Sequence, residues 1–187
     1  MSGFASGESL LFAEFHPRPI FIFSQRTGME FSSRIDIAAS AEFTFATLTD
    51  FEGWEALARA KGAHITRQDP AGRLQAGEGS RWEGSFLFKG KTRNGALVLR
   101  VLRASERLEM QAEGRGIGGD LLVEITPISA TRSRLSVQGE LRPKSLAARL
   151  FVQSLRLTKG RVQAKLNKRL ADYGRRLEAK YAARGES

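Results

Sequence analysis

Glu30-Phe31-Ser32-Ser33-Arg34-Ile35-Asp36-Ile37-Ala38-Ala39-Ser40-Ala41-Glu42-Phe43-Thr44-Phe45-Ala46-Thr47-Leu48 changes its period half-way, and that change decides the architecture. Through Ala38, the residues Phe31, Ser33, Ile35 and Ile37 alternate with Glu30, Ser32, Arg34 and Asp36, the period-two pattern of a half-buried strand with its odd positions inward. Ser40 then offers a side-chain oxygen to the first turn of a helix over Ala41–Leu48, and Glu42 lies where a negative charge suits the helix dipole. Asp50 caps a second short helix through Trp54, Leu57 and Ala58, which closes at Lys61-Gly62. One strand is thus followed by two short helices.

Beyond Ala63 the chain reads as six strands, near Ala63–Asp69, Ser80–Phe88, Thr92–Leu102, Arg107–Glu113, Asp120–Thr126 and Arg132–Leu141. Turn chemistry separates them at Asp69-Pro70-Ala71-Gly72, at Lys89-Gly90-Lys91 and across the Gly114–Asp120 loop. Each strand has one apolar side, with Trp82, Phe86 and Phe88, then Leu97, Leu99 and Val101, then Leu108, Met110 and Ala112, then Leu121, Val123 and Ile125, and last Leu135, Val137 and Leu141. The glycines from Gly114 to Gly119 stand between two strands, whereas a dinucleotide loop needs them between a strand and a helix, so they read as a hairpin.

Pro143 ends the last strand and Ser145 caps a single helix to about Ala182, ~55 Å long at ~1.5 Å per residue. Phe151, Leu155, Val162, Leu166, Leu170, Tyr173, Leu177 and Tyr181 recur at three- and four-residue steps, and Arg161, Lys165, Lys168, Arg169, Arg175 and Arg176 fill the adjoining sector. Leu146, Leu150 and Leu157 lie on a different sector, so the first turns meet a different surface. Gly160, unfavourable in a helix interior by about 1 kcal/mol relative to alanine, marks a bend or a close backbone approach.

Charge follows the same division. The stretch Leu141–Ser187 carries 13 Lys or Arg against 3 Asp or Glu, which accounts for the whole formal charge of +10, and the rest of the chain sums to zero. With 187 residues one domain is expected. No apolar run approaches the ~20 residues that cross a bilayer. The absence of cysteine removes thiolate nucleophiles, disulfides and thiolate metal ligands, and two histidines, His16 and His64, are too few for a multi-histidine metal centre, so no cofactor is expected. Residues 1–28, with Glu8 and Glu14 flanking Leu10-Leu11-Phe12, lack the basic start and unbroken apolar centre of a secretory signal. The expectation is a flexible extension or a misplaced start over 1–28, a domain over 29–182 and a tail over 183–187.

The order strand, two helices, six strands, long helix is that of an α+β helix-grip fold, a curved antiparallel sheet wrapped around a C-terminal helix. Ile35-Asp36-Ile37-Ala38-Ala39-Ser40 with Phe43-Thr44-Phe45, Leu48-Thr49-Asp50-Phe51 with Trp54, Gly79-Ser80-Arg81-Trp82, Thr131–Val137 and Leu141-Arg142-Pro143-Lys144 carry a resemblance to the SRPBCC superfamily. That group holds START lipid-transfer domains, Bet v 1-like proteins and polyketide cyclase/dehydrase-like proteins. The resemblance covers about Met29–Ala182 and implies a cavity between sheet and helix, without implying a shared catalytic set.

The lining candidates are Trp54, Trp82, Phe86, Phe88, Leu97, Leu99, Met110, Phe151 and Leu155, each of which is equally a core-filling side chain. Lys159 falls on the apolar stripe of the helix and is a candidate anchor for an anionic or carbonyl group, against the plainer reading of a snorkelling lysine. His64 has no nucleophile placed with it, and no catalytic residue is assigned. The sequence therefore points to non-covalent binding or transport of a lipid, isoprenoid quinone or aromatic metabolite. Two alternatives stand: a cyclase- or hydrolase-like enzyme using the same cavity, and an adaptor docking through its basic helix. For Arg161, Lys165, Lys168, Arg169, Arg175 and Arg176 the readings are a solvated face, or contact with an anionic membrane or acidic partner. Nucleic acid is disfavoured, because no binding motif or aromatic platform accompanies the charge. A cytoplasmic protein with peripheral membrane contact is the corresponding location.

Overall fold

The computed structural model describes residues 28–72, 74–88 and 90–185, leaving aside the side chains of Phe86, Phe88 and Lys91. The expectations for 1–27 and for the last two residues lie outside them. The elements are β1 Met29–Ile37, α1 Ala41–Leu48, α2 Phe51–Ala60, β2 His64–Gln68, β3 Arg81–Phe88, β4 Lys91–Arg103, β5 Arg107–Gly114, β6 Ile117–Ser129, β7 Arg132–Pro143, α3 Leu146–Leu157 and α4 Lys159–Gly185. The strands form one antiparallel sheet in the order β1-β7-β6-β5-β4-β3-β2. β2 to β7 is a meander, and β1 returns beside β7.

The helix starts follow from local chemistry. Ser40 Oγ accepts from the Phe43 amide at 3.2 Å, Asp50 Oδ1 from the Gly53 amide at 3.0 Å, and Ser145 Oγ from the Ala148 amide at 3.2 Å, each satisfying an amide that the helix itself leaves free. The loop expected over Gly114–Asp120 contracts to a two-residue turn at Arg115-Gly116, where Gly116 takes φ 76°, and β6 begins at Ile117. Pairing then runs on to Pro143, because β6 extends far enough to meet it.

The single terminal helix expected from Ser145 is instead two. Thr158 takes φ −111° and its amide donates to the Leu155 carbonyl at 3.0 Å. Its hydroxyl donates to the same carbonyl at 3.2 Å, and the Thr158 carbonyl accepts from Arg161 and Val162 to restart the helix as α4. A β-branched residue whose hydroxyl competes for backbone groups, followed closely by Gly160, supplies the break. α3 is thereby freed from the direction of α4.

Ile37, Leu99, Leu108, Val123, Ile125 and Leu135 on the inner side of the sheet form one core with Leu170 and Leu177 of α4. The close approach of α4 to β1 depends on Gly174, where a Cβ would lie 2.7 Å from Ile35 Cδ1. β1 is an edge strand, and the terminal helices bond to one of its free carbonyls and to a backbone group just beyond each of its ends. Arg156 donates to the Gly28 carbonyl, Gln163 to the Ser32 carbonyl, and the Ala38 amide donates to Glu178 Oε1 at 2.9 Å. α1 is tied to β7 by a hydrogen bond of 3.0 Å between the buried hydroxyls of Thr44 and Ser133.

Candidate functional site

Alternation along β3, β4 and β5 places Trp82, Leu97 and Ala112 in one row across the inner face, since Trp82 pairs with Leu97 and Leu97 with Ala112. Trp82 is buried, but Leu97, on the same side as the core, is 42% exposed. The next inward row is Gly84, Gly95 and Gly114, again in register, and Gly119 lies beside Ala112. The row thus presents three glycines between the side chains of Ile65 and Ile117. A Cβ on Gly95 would meet, among the described residues within 4 Å, the Glu113 carbonyl oxygen at 3.1 Å and nothing from a helix. Among the described residues, Leu97 is thus left partly uncovered on the core side of the sheet.

The far border of this region is a polar seam between α2 and the sheet edge. Glu55, on the buried side of α2, accepts at Oε1 from Trp82 Nε1 at 2.8 Å and from Arg67 at 2.9 Å, and at Oε2 from Arg59 at 3.0 Å. Burial pushes the Glu55 carboxyl up, but the hydrogen bonds from Trp82 and Arg59 and the Arg67 charge prevail and hold it below the usual glutamate value. Arg67 Nε also donates to Asp69 at 2.9 Å.

On α4, Tyr173 packs its ring 6.0 Å from that of Trp54, whose own Nε1 donates to the Leu48 carbonyl at 3.1 Å. The Tyr173 hydroxyl is buried and has no hydrogen-bond partner among the described residues, and burial pushes its pKa up to about 12. It is a neutral donor without an acceptor among the described residues, an arrangement that costs about 1–3 kcal/mol if left unmet.

A second concavity lies on the opposite face of the sheet. It is an open groove of about 590 Å³ lined by His64, Thr66, Arg81, Glu83, Ser85, Asn94, Ala96, Glu113 and Arg115, which alternate with the inward residues, and by the backbone of Gly84, Gly95 and Gly114 between them. Arg81 is paired with Glu83 at 2.9 Å and with Glu113 at 3.8 Å, so three of the charged groups lining the groove are already partnered.

The candidates read from sequence divide accordingly. Leu99 is 0% exposed and Trp82 is packed 5.2 Å from the Phe51 ring, so both serve the core. Met110, in register with Leu99, is partly buried. Leu97, Trp54 and Phe151 keep large exposed areas, and Leu155 is partly buried on α3. Phe86 pairs with Arg93 and Phe88 with Lys91, but their side chains lie outside the description. Lys159 is exposed at the first residue of α4, as are Arg161, Lys165, Lys168, Arg169, Arg175 and Arg176 farther along. Glu55, Arg67, Gly84 and Gly95 were not singled out from sequence, and Tyr173 entered only as part of the apolar stripe of the terminal helix. A lone acid four residues after Phe51, on the apolar side of a short helix, was the available signal for Glu55.

The chain superposes on norcoclaurine synthase from Thalictrum flavum, solved with dopamine and hydroxybenzaldehyde, with TM-score 0.56 and 16% identity, covering 82% of this chain and 88% of that one. It superposes on a conserved protein from Geobacillus kaustophilus with TM-score 0.52 and 11% identity, covering 83% and 96%. The chain has the helix-grip fold. No protein-family profile and no curated protein sequence matches it. In this helix-grip chain α4 covers the β1–β7 end of the sheet, and at the β3–β5 end Leu97 stays 42% exposed. Among the described residues no helix is long and apolar enough to cross a membrane.

Proposed function

We propose that the protein binds a hydrophobic or amphipathic small molecule, a lipid, an isoprenoid quinone or an aromatic metabolite, non-covalently between the sheet and the terminal helices. The observation that carries this reading is Leu97, 42% exposed on the core side of the sheet beside a row of three glycines. Apolar surface on an inner face gains about 25 cal/mol per Å² when a guest covers it. The aromatic and aliphatic groups of Trp54, Leu97, Met110, Phe151 and Leu155 supply the apolar contacts. The neutral Tyr173 hydroxyl supplies a donor that orients a carbonyl, ether or hydroxyl oxygen of the guest. The likeness to a protein solved with two small aromatic compounds supports a guest of that size and character.

Native mass spectrometry of gently purified protein tests the proposal. A retained mass that is released on collisional activation, and is apolar on extraction, is the expected result. A bare protein that also shows no saturable uptake of an apolar fluorescent probe overturns it.

A further inference from the structure

α3 has two apolar stripes on opposite sides. At ~100° per residue, Ala148, Val152 and Leu155 fall within about 60° of one another, and this is the side that the fold covers, Val152 being 1% exposed. Leu146, Leu150 and Leu157 fall within about 40° of one another on the far side, and they are 74%, 62% and 87% exposed. Arg149 lies on the flank between the two stripes, and Arg156 beside it reaches back to the Gly28 carbonyl. Single exposed leucines are ordinary, but three on one face of a helix already anchored by its other face form a patch that folding does not require.

The charge along this segment of the chain has one sign, although Arg142 is paired with Asp120 and Glu140. From Leu141 to Ala171 there are nine Lys or Arg and no Asp or Glu. Lys144, Arg149, Lys159 and Arg161 are exposed around α3, and Lys165, Lys168 and Arg169 continue the field along α4. Leucine on the outward face with cations at its flanks is the composition of a helix lying in a bilayer interface, where apolar side chains reach the acyl boundary and cations meet phosphate. The break at Thr158 lets α3 take its own angle to that plane.

We propose that α3 is an interfacial docking helix for an anionic membrane surface, with Leu146, Leu150 and Leu157 entering the headgroup–acyl boundary and Lys144, Arg149 and Arg161 meeting lipid phosphates. The assignment moves the contact from the basic sector of α4 alone to the leucine face of α3. It does not depend on what the concave side of the sheet binds.

The test uses the full chain and extruded vesicles, of phosphatidylcholine alone or with roughly a third phosphatidylserine, in a flotation assay. Binding is expected to the anionic vesicles, weakening as salt rises. The Leu150→Glu/Leu157→Glu double variant is expected to lose about tenfold or more of this binding. It should keep the wild-type thermal midpoint and its uptake of an apolar probe, because both leucines are exposed. Leu150→Ile/Leu157→Ile should bind as the wild type does. The proposal is overturned by equal binding of the glutamate variant, which assigns any attraction to α4 charge alone. It is also overturned by absence of binding to the anionic vesicles, or by a leucine face that the glutamate variant shows to be a dimer contact.

Discussion

Trp82 Nε1 donates to Glu55 Oε1 at 2.8 Å, joining the inner face of β3 to the buried side of α2. The bond belongs to a continuous chain of polar contacts. Arg67 bridges Glu55 and Asp69, Asp69 accepts from Ser80 Oγ at 2.6 Å, and Ser80 Oγ accepts from the Gly77 amide at 2.9 Å. This seam holds α2 over the β2–β3 edge, and so sets the border of the open region next to Leu97.

Glu55→Ala removes the acceptor for three donors, two of them charged, while Arg67 stays partly buried. A loss of about 2–4 kcal/mol is expected by urea denaturation, below the upper figures for breaking a buried pair because Asp69 remains as a partner.

The same group gives an acid dependence. Its folded pKa lies below the ordinary glutamate value of 4.5, so the native state favours the ionised form. Its contribution is full above pH 4.5 and is lost as the pH falls through the lower folded value. Glu55→Gln should flatten the stability–pH curve in that acid window relative to wild type. A wild-type and variant pair with parallel curves below pH 4.5 would show that Glu55 is not linked to folding in this way.

Tyr173 makes the opposite kind of prediction. Its pKa rises to about 12 on folding, against an ordinary value of 10.0, so the stability it lends through the neutral phenol is complete below pH 10 and disappears as pH rises through about 12. Absorbance at the phenolate band should show one transition near 12 that Tyr173→Phe removes. Because the hydroxyl has no partner among the described residues, Tyr173→Phe should cost no stability in the ligand-free protein, and can raise it by about 1 kcal/mol. Loss of guest affinity in a variant of equal or greater stability would mark the hydroxyl as a ligand contact. A clear loss of stability would instead mean that it has a partner within the fold.

Gly174 is where α4 comes against β1, with room for a hydrogen but not for a methyl group, since the Ile35 δ-methyl would be 2.7 Å away. Gly174→Leu is expected to cost roughly 1–3 kcal/mol by overpacking. Gly174→Ala is milder, because alanine recovers about 1 kcal/mol of helix propensity and the δ-methyl can turn aside. Combining Gly174→Ala with Ile35→Val, which deletes that methyl, should give a coupling energy of opposite sign to the single losses in a double-mutant cycle.

The alternation in Glu30–Ala38, the caps at Ser40, Asp50 and Ser145 and the turn residues between strands made the element order readable, because each is decided by neighbours within a few positions. The break at Thr158 was displaced in the reading to Gly160, since hydroxyl competition for a carbonyl is a matter of a single dihedral choice. Leu97 and Leu99 looked alike along the chain. Only the register, which puts Leu97 beside Trp82 and Ala112 next to the glycine row, separates an open position from one that is fully covered. The Glu55 seam stayed hidden for a similar reason, because Glu55, Arg67, Asp69, Ser80 and Trp82 converge only when α2 folds back on the sheet edge.

That separation of faces yields the most direct test of where a guest sits. Leu97→Trp places an indole in the inner row, where the existing side chain is already 42% exposed and has room to grow. Ala96→Trp places the same group one residue away, in the groove of about 590 Å³ on the opposite face. The inner substitution should reduce affinity for an apolar probe by about tenfold with little change in thermal midpoint, since it fills space without displacing core side chains. The outer substitution should leave affinity as it was. Reversal of the two effects would transfer the binding site to the groove lined by His64, Arg81 and Glu113, and loss of affinity in neither variant would remove the β3–β5 end from the binding surface.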